Sequence, residues 1–278
     1  MRYANCQLDG APVAVEVTGQ TVRPLVGRPP MSAGCDFAAM AGAERGAALP
    51  LADVELLPPV LAPGRIICLG LNYLGHVTET KRELPTYPVL FTKFADALVG
   101  PHAPIVAPPE SRQIDYEAEL AVIIGRPARR VAIADALSVV AGFTVANDVT
   151  MRDYQYKSHQ WLQGKAWPSS TPLGPWLVTG DEIGDGRELD IRLALNGKEL
   201  QHSNTRHMIF DVPTTIATLS EFVNLAPGDV ILMGTPDGVG FRREPKVLLS
   251  PGDRVCVEIE GIGVLDNRVV GEDVGSVA

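Results

Sequence analysis

Three acidic residues at alternating positions, Asp115, Glu117 and Glu119, are the strongest chemical feature of the sequence. The apolar run 120–124 that follows them is typical of a strand covered on both faces. Because strand side chains alternate, the three carboxylates would share one face, with neighbours about 6.5 to 7 Å apart. Like charges repel, so the carboxylates either lie on a solvated edge or share a hard divalent cation. The pattern alone favours the solvated edge.

A histidine and a glutamate three residues apart, His76 and Glu79, form a second candidate pair. On a single helical turn they would share a face, so that Glu79 could orient and charge the imidazole of His76. That arrangement suits a general base, although the spacing alone favours an ordinary surface pair on a short helix. The polar segment 81–85 that follows reads as an exposed lid.

Further polar residues follow apolar stretches later in the chain. Asp148 ends the apolar strand predicted over 142–149, where either a ligand or a helix cap would be expected. The helix-compatible stretch 151–163 carries Arg152 and Gln155, and Lys165 lies between a glycine and a proline-rich loop. Such a lysine either enters a cavity or faces water.

A glycine-rich segment, 234–240, contains Thr235. It lacks the Gly-Lys-Ser/Thr ending and the following helix of a phosphate-binding loop. We therefore predict a tight loop whose backbone amides and Thr235 hydroxyl approach an anionic group such as a carboxylate.

Composition limits the classes of function. The chain has 278 residues, 46% hydrophobic content and a formal net charge of −9, which argues against a nucleic-acid partner. Its 4 cysteines are far apart and include no Cys-x-x-Cys pair, which is typical of a reduced, cytoplasmic protein. We see no signal peptide, and no apolar run approaches the roughly 20 residues of a membrane helix.

Turn signals and periodicity predict the elements that position these residues. The pattern of residues 1–18 predicts a hairpin that turns at Asp9-Gly10. The alanine-rich segment 35–55 favours helix, and the proline-rich stretch 57–64 would end it. We therefore expect a small N-terminal domain, 1–62, and a second domain, 63–278. Within the second domain we predict strands at 65–70, 88–93 and 142–149, helices at 133–140, 151–163 and 214–224, and a hairpin of 190–195 with 199–201.

These motifs together resemble the fumarylacetoacetate hydrolase family, in particular its smaller bacterial members. The resemblance runs in order from about residue 65 to about residue 270. It is carried by Gly70-Leu71-Asn72-Tyr73, His76 with Glu79, Asp115-Tyr116-Glu117-Ala118-Glu119-Leu120, Asn147-Asp148-Val149 with Arg152 and Gln155, Gly164-Lys165, Leu173-Gly174-Pro175-Trp176, Asn196-Gly197, Pro227-Gly228-Asp229-Val230 and Gly234-Thr235-Pro236.

The resemblance implies an α+β fold, a mixed-sheet β-roll with peripheral helices, which forms a homodimer and is preceded by a small N-terminal domain. It also implies Mg²⁺ or Mn²⁺ as the cofactor and a small oxo acid as the substrate. By this resemblance, the metal ligands are Glu117, Glu119 and Asp148. The catalytic residues are His76, Glu79 and Lys165, and the substrate contacts are Tyr73, Arg152, Gln155 and Thr235.

The chemistry implied is hydrolysis of a carbon–carbon bond in a 2-oxo or 1,3-diketo acid, of acylpyruvate or fumarylpyruvate type, through a stabilised enolate. Decarboxylation or keto–enol isomerisation would use the same enolate, with oxaloacetate or 2-hydroxyhepta-2,4-diene-1,7-dioate as substrates. A non-catalytic, ligand-binding member is the alternative from another class.

One departure from the family pattern follows Lys165. The family typically continues with Ser-Phe-Asp-Thr, where this chain has Ala166-Trp167-Pro168-Ser169. Trp167 can replace the aromatic bulk, but Pro168 supplies neither a carboxylate nor an amide donor. The departure favours an unusual substrate.

Overall fold

The computed structural model describes residues 1–273, which form an α+β fold dominated by strands, as predicted. The five α-helices are α1 (Leu74–Glu79), α2 (Arg152–Gln155), α3 (Leu162–Lys165), α4 (Gly180–Ile183) and α5 (Val212–Phe222). The strands are β1 (Arg2–Leu8), β2 (Ala11–Thr18), β3 (Thr21–Pro24), β4 (Leu49–Pro50), β5 (Glu55–Leu57), β6 (Ile66–Gly70), β7 (Val89–Lys93), β8 (Leu98–Val99), β9 (Ile105–Ala107), β10 (Ile114–Asp115), β11 (Ala118–Ile124), β12 (Val140–Asn147), β13 (Thr150–Met151), β14 (Thr171–Val178), β15 (Asp190–Leu195), β16 (Lys198–Asn204), β17 (Val230–Leu232), β18 (Arg254–Ile259) and β19 (Gly263–Gly271).

Two mixed sheets organise these strands. The larger has 12 strands, with the order β4-β3-β2-β1-β14-β12-β11-β17-β6-β7, while β5 pairs with β1 and β8 with β14. The second has 5 strands in the order β16-β15-β18-β19-β9, and β10 and β13 form a separate two-stranded pair. Strands β12 and β11, which flank the candidate residues Asp148 and Glu117, therefore lie with β17, β6 and β7 towards one end of the large sheet.

Strand β11 lies between the two main hydrophobic clusters. All seven of its residues are buried, and it pairs with β12 on one side and β17 on the other. Leu120 and Val122 pack into one cluster, whereas Ala121 and Ile123 pack into the other. Because successive side chains point to opposite faces, an unbroken apolar run fills both cores, and the prediction of a doubly covered strand is confirmed.

The N-terminal hairpin is also confirmed. Strands β1 and β2 pair in antiparallel register around Asp9 and Gly10, whose φ angles of 48° and 80° suit the tight turn of a two-residue hairpin. Strand β1 also pairs with β14, which joins the first residues to the large sheet. The boundary between residues 62 and 63 and the homodimer stay predictions.

Two predicted helices are largely wrong. Residues 35–55 form two short 3-10 turns, Phe37–Met40 and Leu51–Asp53, together with strand β4 and the start of β5, and helix α2 ends at Gln155. In the first segment glycines interrupt the apolar pattern. In the second, residues 156–160 are exposed and polar, so no apolar face stabilises further turns.

The other predicted elements agree more closely with the structure. Residues 133–139 form a 3-10 helix in place of the predicted α-helix. Helix α5 lies two residues earlier than predicted, because the Asp211 carboxylate accepts a hydrogen bond from Thr214 N and caps its start. The hairpin of β15 with β16 turns at Asn196-Gly197, as predicted. Within residues 1–273, no helix is long and apolar enough to cross a membrane.

We expect Leu120→Ala to lower the free energy of unfolding by about 2–5 kcal/mol, because it opens a cavity in a fully buried strand. Urea denaturation followed by circular dichroism measures the change. Leu84→Ala, at a position with 57% exposure, is the control and should stay within about 0.5 kcal/mol of wild type. Equal losses in the two variants would contradict the central position of β11.

Candidate active site

Three carboxylates, those of Glu117, Glu119 and Asp148, meet at one end of the large sheet. One oxygen from each lies within 4.8 Å of the others, and all three residues are buried. Backbone contacts hold the two chain segments together: Asp148 N donates to Glu117 O over 2.9 Å, and Glu117 N donates to the side-chain oxygen of Asn147 over 3.0 Å. The start of β11 and the end of β12 therefore place the carboxylates side by side, and the solvated-edge hypothesis is wrong.

Asp115 does not join this group, so the prediction of three carboxylates on one strand face is wrong. The strand is interrupted: Asp115 belongs to β10, and residues 116 and 117 lie between β10 and β11. The carboxylate of Asp115 accepts a hydrogen bond from Arg152 Nε at 2.9 Å instead. Asp115 is thus a partner of the site's arginine, not a third oxygen ligand from the same strand.

Basic side chains surround the carboxylates. Lys165 Nζ lies 2.6 Å from Glu117 Oε2 and 2.6 Å from Asp148 Oδ2, so that it bridges the two segments. Lys93 Nζ contacts the other oxygen of Asp148 at 2.7 Å. Arg152 Nη2 contacts Glu117 Oε1 at 2.5 Å. All of these side chains are buried, which strengthens their electrostatic interactions.

The pKa directions follow from these contacts. Burial alone would raise the pKa of Glu117, but the charges of Lys165 and Arg152 outweigh it and lower the pKa to about 2. Burial would lower the pKa of Lys165, but the carboxylates of Asp148 and Glu117 outweigh it and raise the pKa. Lys165 is therefore a fixed cation and not a proton acceptor.

Glu119 is the carboxylate without a cationic partner among residues 1–273. Its Oε2 accepts a hydrogen bond from Gly234 N at 2.7 Å, and it forms no ion pair there. Burial, together with the neighbouring carboxylates of Asp148 and Glu117, raises the pKa of Glu119 well above its ordinary value. A further positive charge at this position would relieve that repulsion.

The residues present fit a hard divalent cation. Three buried carboxylates offer oxygen ligands close enough to share one ion, and one of the three lacks a compensating charge. By formal charge, the four carboxylates of Asp115, Glu117, Glu119 and Asp148 exceed the three cations of Lys93, Arg152 and Lys165 by one. A divalent ion would reverse that excess to one positive charge and favour an anionic ligand.

Helix α1 covers the carboxylates and carries the predicted acid–base pair. His76 Nδ1 lies 3.3 Å from Glu79 Oε2, as the spacing predicts. The other oxygen of Glu79 accepts a hydrogen bond from Gly238 N at 3.0 Å, which fastens the helix to the glycine-rich loop. His76 itself is 8% exposed and lines the cleft above the carboxylates. This arrangement orients the imidazole as a general base would require.

A single cleft joins these groups. Its polar lining includes His76, Arg152, Gln155, Lys165 and Thr235 together with Glu117 and Glu119, and its aromatic walls are Phe91, Tyr156, Trp161 and Phe241. A concave site with few, converging polar groups is typical of small-molecule binding.

Comparison with known proteins identifies the family. The sequence model described as fumarylacetoacetate (FAA) hydrolase C-terminal matches residues 65–270, about three quarters of the chain. This chain belongs to the fumarylacetoacetate hydrolase family. The resemblance inferred from the motifs is therefore confirmed, and the carboxylate cluster is consistent with metal use in that family.

Relatives within the family differ in the reaction that they catalyse. Oxaloacetate tautomerase of Rattus norvegicus, a mitochondrial protein, is 46% identical over 223 residues, which are 80% of this chain and 71% of the relative. Among solved structures, 2-hydroxyhepta-2,4-diene-1,7-dioate isomerase from Mycobacterium marinum is 36% identical, with a TM-score of 0.81 over 98% of this chain and 99% of that chain. Maleylpyruvate hydrolase from Sphingobium sp. SYK-6 is 32% identical, with a TM-score of 0.79 over 98% of this chain and 100% of that chain.

Most of the predicted site residues of this family member meet in the structure. Nine of them take part in the cleft lining or in direct contacts with it: His76, Glu79, Glu117, Glu119, Asp148, Arg152, Gln155, Lys165 and Thr235. Tyr73 does not line the cleft: it is 1% exposed, and burial raises the pKa of its hydroxyl. Thr235 is held in place by Gln201 Nε2, which donates to its hydroxyl over 2.9 Å.

The departure after Lys165 lies outside the cleft. Trp167 Nε1 donates to Gln163 O over 2.8 Å and packs edge-on against Tyr154, 5.0 Å between ring centroids. Neither Trp167 nor Pro168 lines the cleft. Lys165 is nevertheless well placed, because Gly164 lets α3 approach the backbone of Gln155 more closely than a side chain would permit.

The sequence analysis did not predict two of the residues that contact the site. Lys93 and Asp115 are both buried and each contacts a predicted site residue. The signal for Lys93 was available, since it ends an apolar strand, as Asp148 does. Asp115 belongs to the acidic motif of the sequence, but the strand is interrupted at residues 116 and 117, and the Asp115 carboxylate binds Arg152 instead.

The cytoplasmic location predicted from the sequence is not settled by these relatives. The similar proteins of mammals are named as mitochondrial. The location of this chain stays a prediction.

We expect Mg²⁺ or Mn²⁺ to raise the melting temperature of the protein, because an ion that binds only the folded state stabilises it. Glu119→Gln should weaken the ion's affinity at least tenfold, since it removes the one carboxylate without a cationic partner. Gln is close in shape to a protonated Glu, so the variant should still fold. Differential scanning fluorimetry over a range of ion concentrations measures both effects.

The matched control is Glu110→Gln, at an exposed position outside the cleft. It should respond to the ion as wild type does. An unchanged ion dependence in Glu119→Gln would show that the carboxylate cluster is not the metal site.

Proposed function

We propose that this family member is a divalent-metal-dependent tautomerase that interconverts the keto and enol forms of a small 2-oxo dicarboxylate of the oxaloacetate type. The charge balance of the buried cluster carries the proposal, because a cluster with one net negative charge becomes positive when a divalent ion binds. Such a site stabilises a developing enolate. The 46% identity to an oxaloacetate tautomerase supports the choice of reaction.

In this proposal, the three carboxylates and Lys165 bring positive charge to the enolate, the carboxylates by holding the ion and the lysine by its own charge. A divalent ion held by Glu117, Glu119 and Asp148 would supply Lewis acidity towards the 2-oxo group. Lys165 remains protonated because of its two carboxylate neighbours, so it contributes fixed positive charge near the oxygen that becomes negative. Such preorganised charge lowers the free energy of the transition state without any rearrangement.

His76 moves the proton. The carboxylate of Glu79 faces Nδ1, so the tautomer with hydrogen on Nδ1 is favoured and Nε2 is left as the basic atom. In the keto-to-enol direction, Nε2 takes a proton from carbon 3 and the electron pair of that C–H bond forms the C2–C3 double bond. The π electron pair of the 2-oxo group moves onto its oxygen, which then receives the proton from Nε2, so that the enol is complete and His76 is neutral again. The reverse direction uses the same steps.

Arg152 and Gln155 orient the substrate in this scheme. Arg152 Nη1 donates to Gln155 Oε1 over 3.0 Å, which fixes that oxygen as an acceptor and leaves the amide nitrogen to donate elsewhere. Both residues line the cleft, as does Thr235. Arg152 thus acts through Gln155, whose amide nitrogen can donate to a carboxylate-bearing ligand together with the hydroxyl of Thr235.

Hydrolysis of a carbon–carbon bond, the reaction predicted first from the sequence, is the second candidate. The identity to a maleylpyruvate hydrolase and the His76–Glu79 pair favour it, because the same imidazole could activate a water. Tautomerisation leaves the substrate mass unchanged, hydrolysis adds water and decarboxylation removes carbon dioxide. Product mass therefore separates the three reactions.

We expect the Mg²⁺-loaded protein to accelerate the decay of enol oxaloacetate to the keto form, followed by the ultraviolet absorbance of the enol. Chelation of the ion should abolish the acceleration, because the enolate charge would lose its principal stabilisation. Mass spectrometry should show no change of mass. Release of pyruvate at the rate of enol decay would replace the proposal with a decarboxylase.

His76→Asn should lower kcat for this tautomerisation about 10²–10⁴-fold, the range typical for loss of a general base, while ion binding persists. His202→Asn, at an exposed position on β16 outside the cleft, is the control and should keep wild-type kcat. Steady-state kinetics with saturating Mg²⁺ measures both. If His76→Asn kept an activity close to that of wild type, another residue would have to be the general base.

A further inference from the structure

Two arginines of the cleft lining have no assigned role. Arg82 and Arg242 come from different parts of the chain, line the same cleft as the carboxylate cluster and are exposed. Within residues 1–273 neither guanidinium forms an ion pair, whereas the deeper Arg152 is engaged with Asp115 and Glu117. The inner basic groups are thus committed to protein carboxylates, and these two outer ones are available to a ligand.

Arg82 is positioned by the end of helix α1. Lys81 adopts the left-handed conformation with φ of 54°, and Arg82 N then donates to Val77 O over 3.2 Å. This backbone turn closes the helix in the manner of a C-terminal cap. Helix α1 carries His76, so this capping contact fixes the position of Arg82 relative to the proposed base.

Arg242 is positioned by Asp115. The Asp115 carboxylate accepts hydrogen bonds from Gly240 N at 2.8 Å and Phe241 N at 3.1 Å, while it also binds Arg152. A side chain at Gly240 would overlap the backbone of Val247, so the turn depends on glycine there. The buried carboxylate therefore ties the turn that carries Arg242 to the inner arginine of the site.

The division of charge within the cleft indicates the form of the ligand. Its inner end is suited to a 2-oxo acid group, through the carboxylate cluster and Lys165. Its outer part offers two guanidinium groups, which bind carboxylates in a planar, bidentate manner. A ligand with one anionic group would leave these two charges unused.

We propose that Arg82 and Arg242 bind the distal carboxylate of the substrate and so select dicarboxylates over monocarboxylates. This assignment rests on the proposed tautomerase function and names the group that determines its specificity. Because the turn that carries Arg82 caps helix α1, a bound distal carboxylate also holds His76 over the reacting carbon. Loss of the contact therefore affects kcat as well as KM.

The test compares oxaloacetate with its 4-methyl monoester, which keeps the enolisable carbon but lacks the distal charge. Wild type should prefer oxaloacetate in kcat/KM by at least about tenfold. Arg242→Gln and Arg82→Gln should each lower kcat/KM for oxaloacetate about tenfold and leave the value for the monoester within about twofold. Arg82→Gln should also lower kcat for oxaloacetate and not for the monoester, which a merely structural role of Arg82 would not predict.

Arg206→Gln, an exposed arginine outside the cleft, is the matched control and should keep the wild-type preference. An equal loss on both substrates in the two cleft variants, or no loss on either, would overturn the assignment. Melting temperatures within a few degrees of wild type would show that the variants remain folded.

Calorimetry with the same two ligands separates this inference from the proposed function. Tighter binding of oxaloacetate than of the monoester, lost in Arg242→Gln, supports the arginine assignment even where wild type catalyses no tautomerisation. Equal dissociation constants of the two ligands for wild type overturn it, whatever the activity.

Discussion

The ammonium of Lys165 between the carboxylates of Glu117 and Asp148 is the interaction on which the site depends. Glu117 directly precedes β11 and Asp148 directly follows the neighbouring β12, and their carboxylates repel each other in a buried environment, so their proximity requires a positive partner. Helix α3, only four residues long, is too short to be stable alone and is held by this contact. Removal of one partner from such a buried pair typically costs about 3–5 kcal/mol, so charge balance and fold are maintained by the same atoms.

Local patterns made much of this arrangement predictable from the sequence. The apolar run of β11 specifies a doubly buried strand, and the three-residue spacing of His76 and Glu79 specifies a shared helical face. Both depend only on neighbours along the chain. The assignment of Glu117, Glu119 and Asp148 as one group needed the family resemblance, because periodicity alone favoured a solvated edge.

What the sequence did not predict depends on contacts between distant residues. Asp115 is bound by backbone amides of 240 and 241, more than 120 positions later, and this contact interrupts the strand that the alternating pattern suggested. The region 151–163 has helical propensity, but only its first turn, residues 152–155, forms the helix α2. The contacts of Arg152 and Gln155 within the buried cluster hold that turn in place. Tertiary packing overrides propensity in both cases.

The pairing of β1 with β14 has a consequence for biosynthesis. Arg2 lies opposite Val178, so strand β1 meets this neighbour only after some 170 further residues have been translated. Such sequence-distant pairing slows folding and leaves strand edges open to association in the meantime. During synthesis the edge of β1 that later pairs with β14 would therefore be a natural binding site for a chaperone.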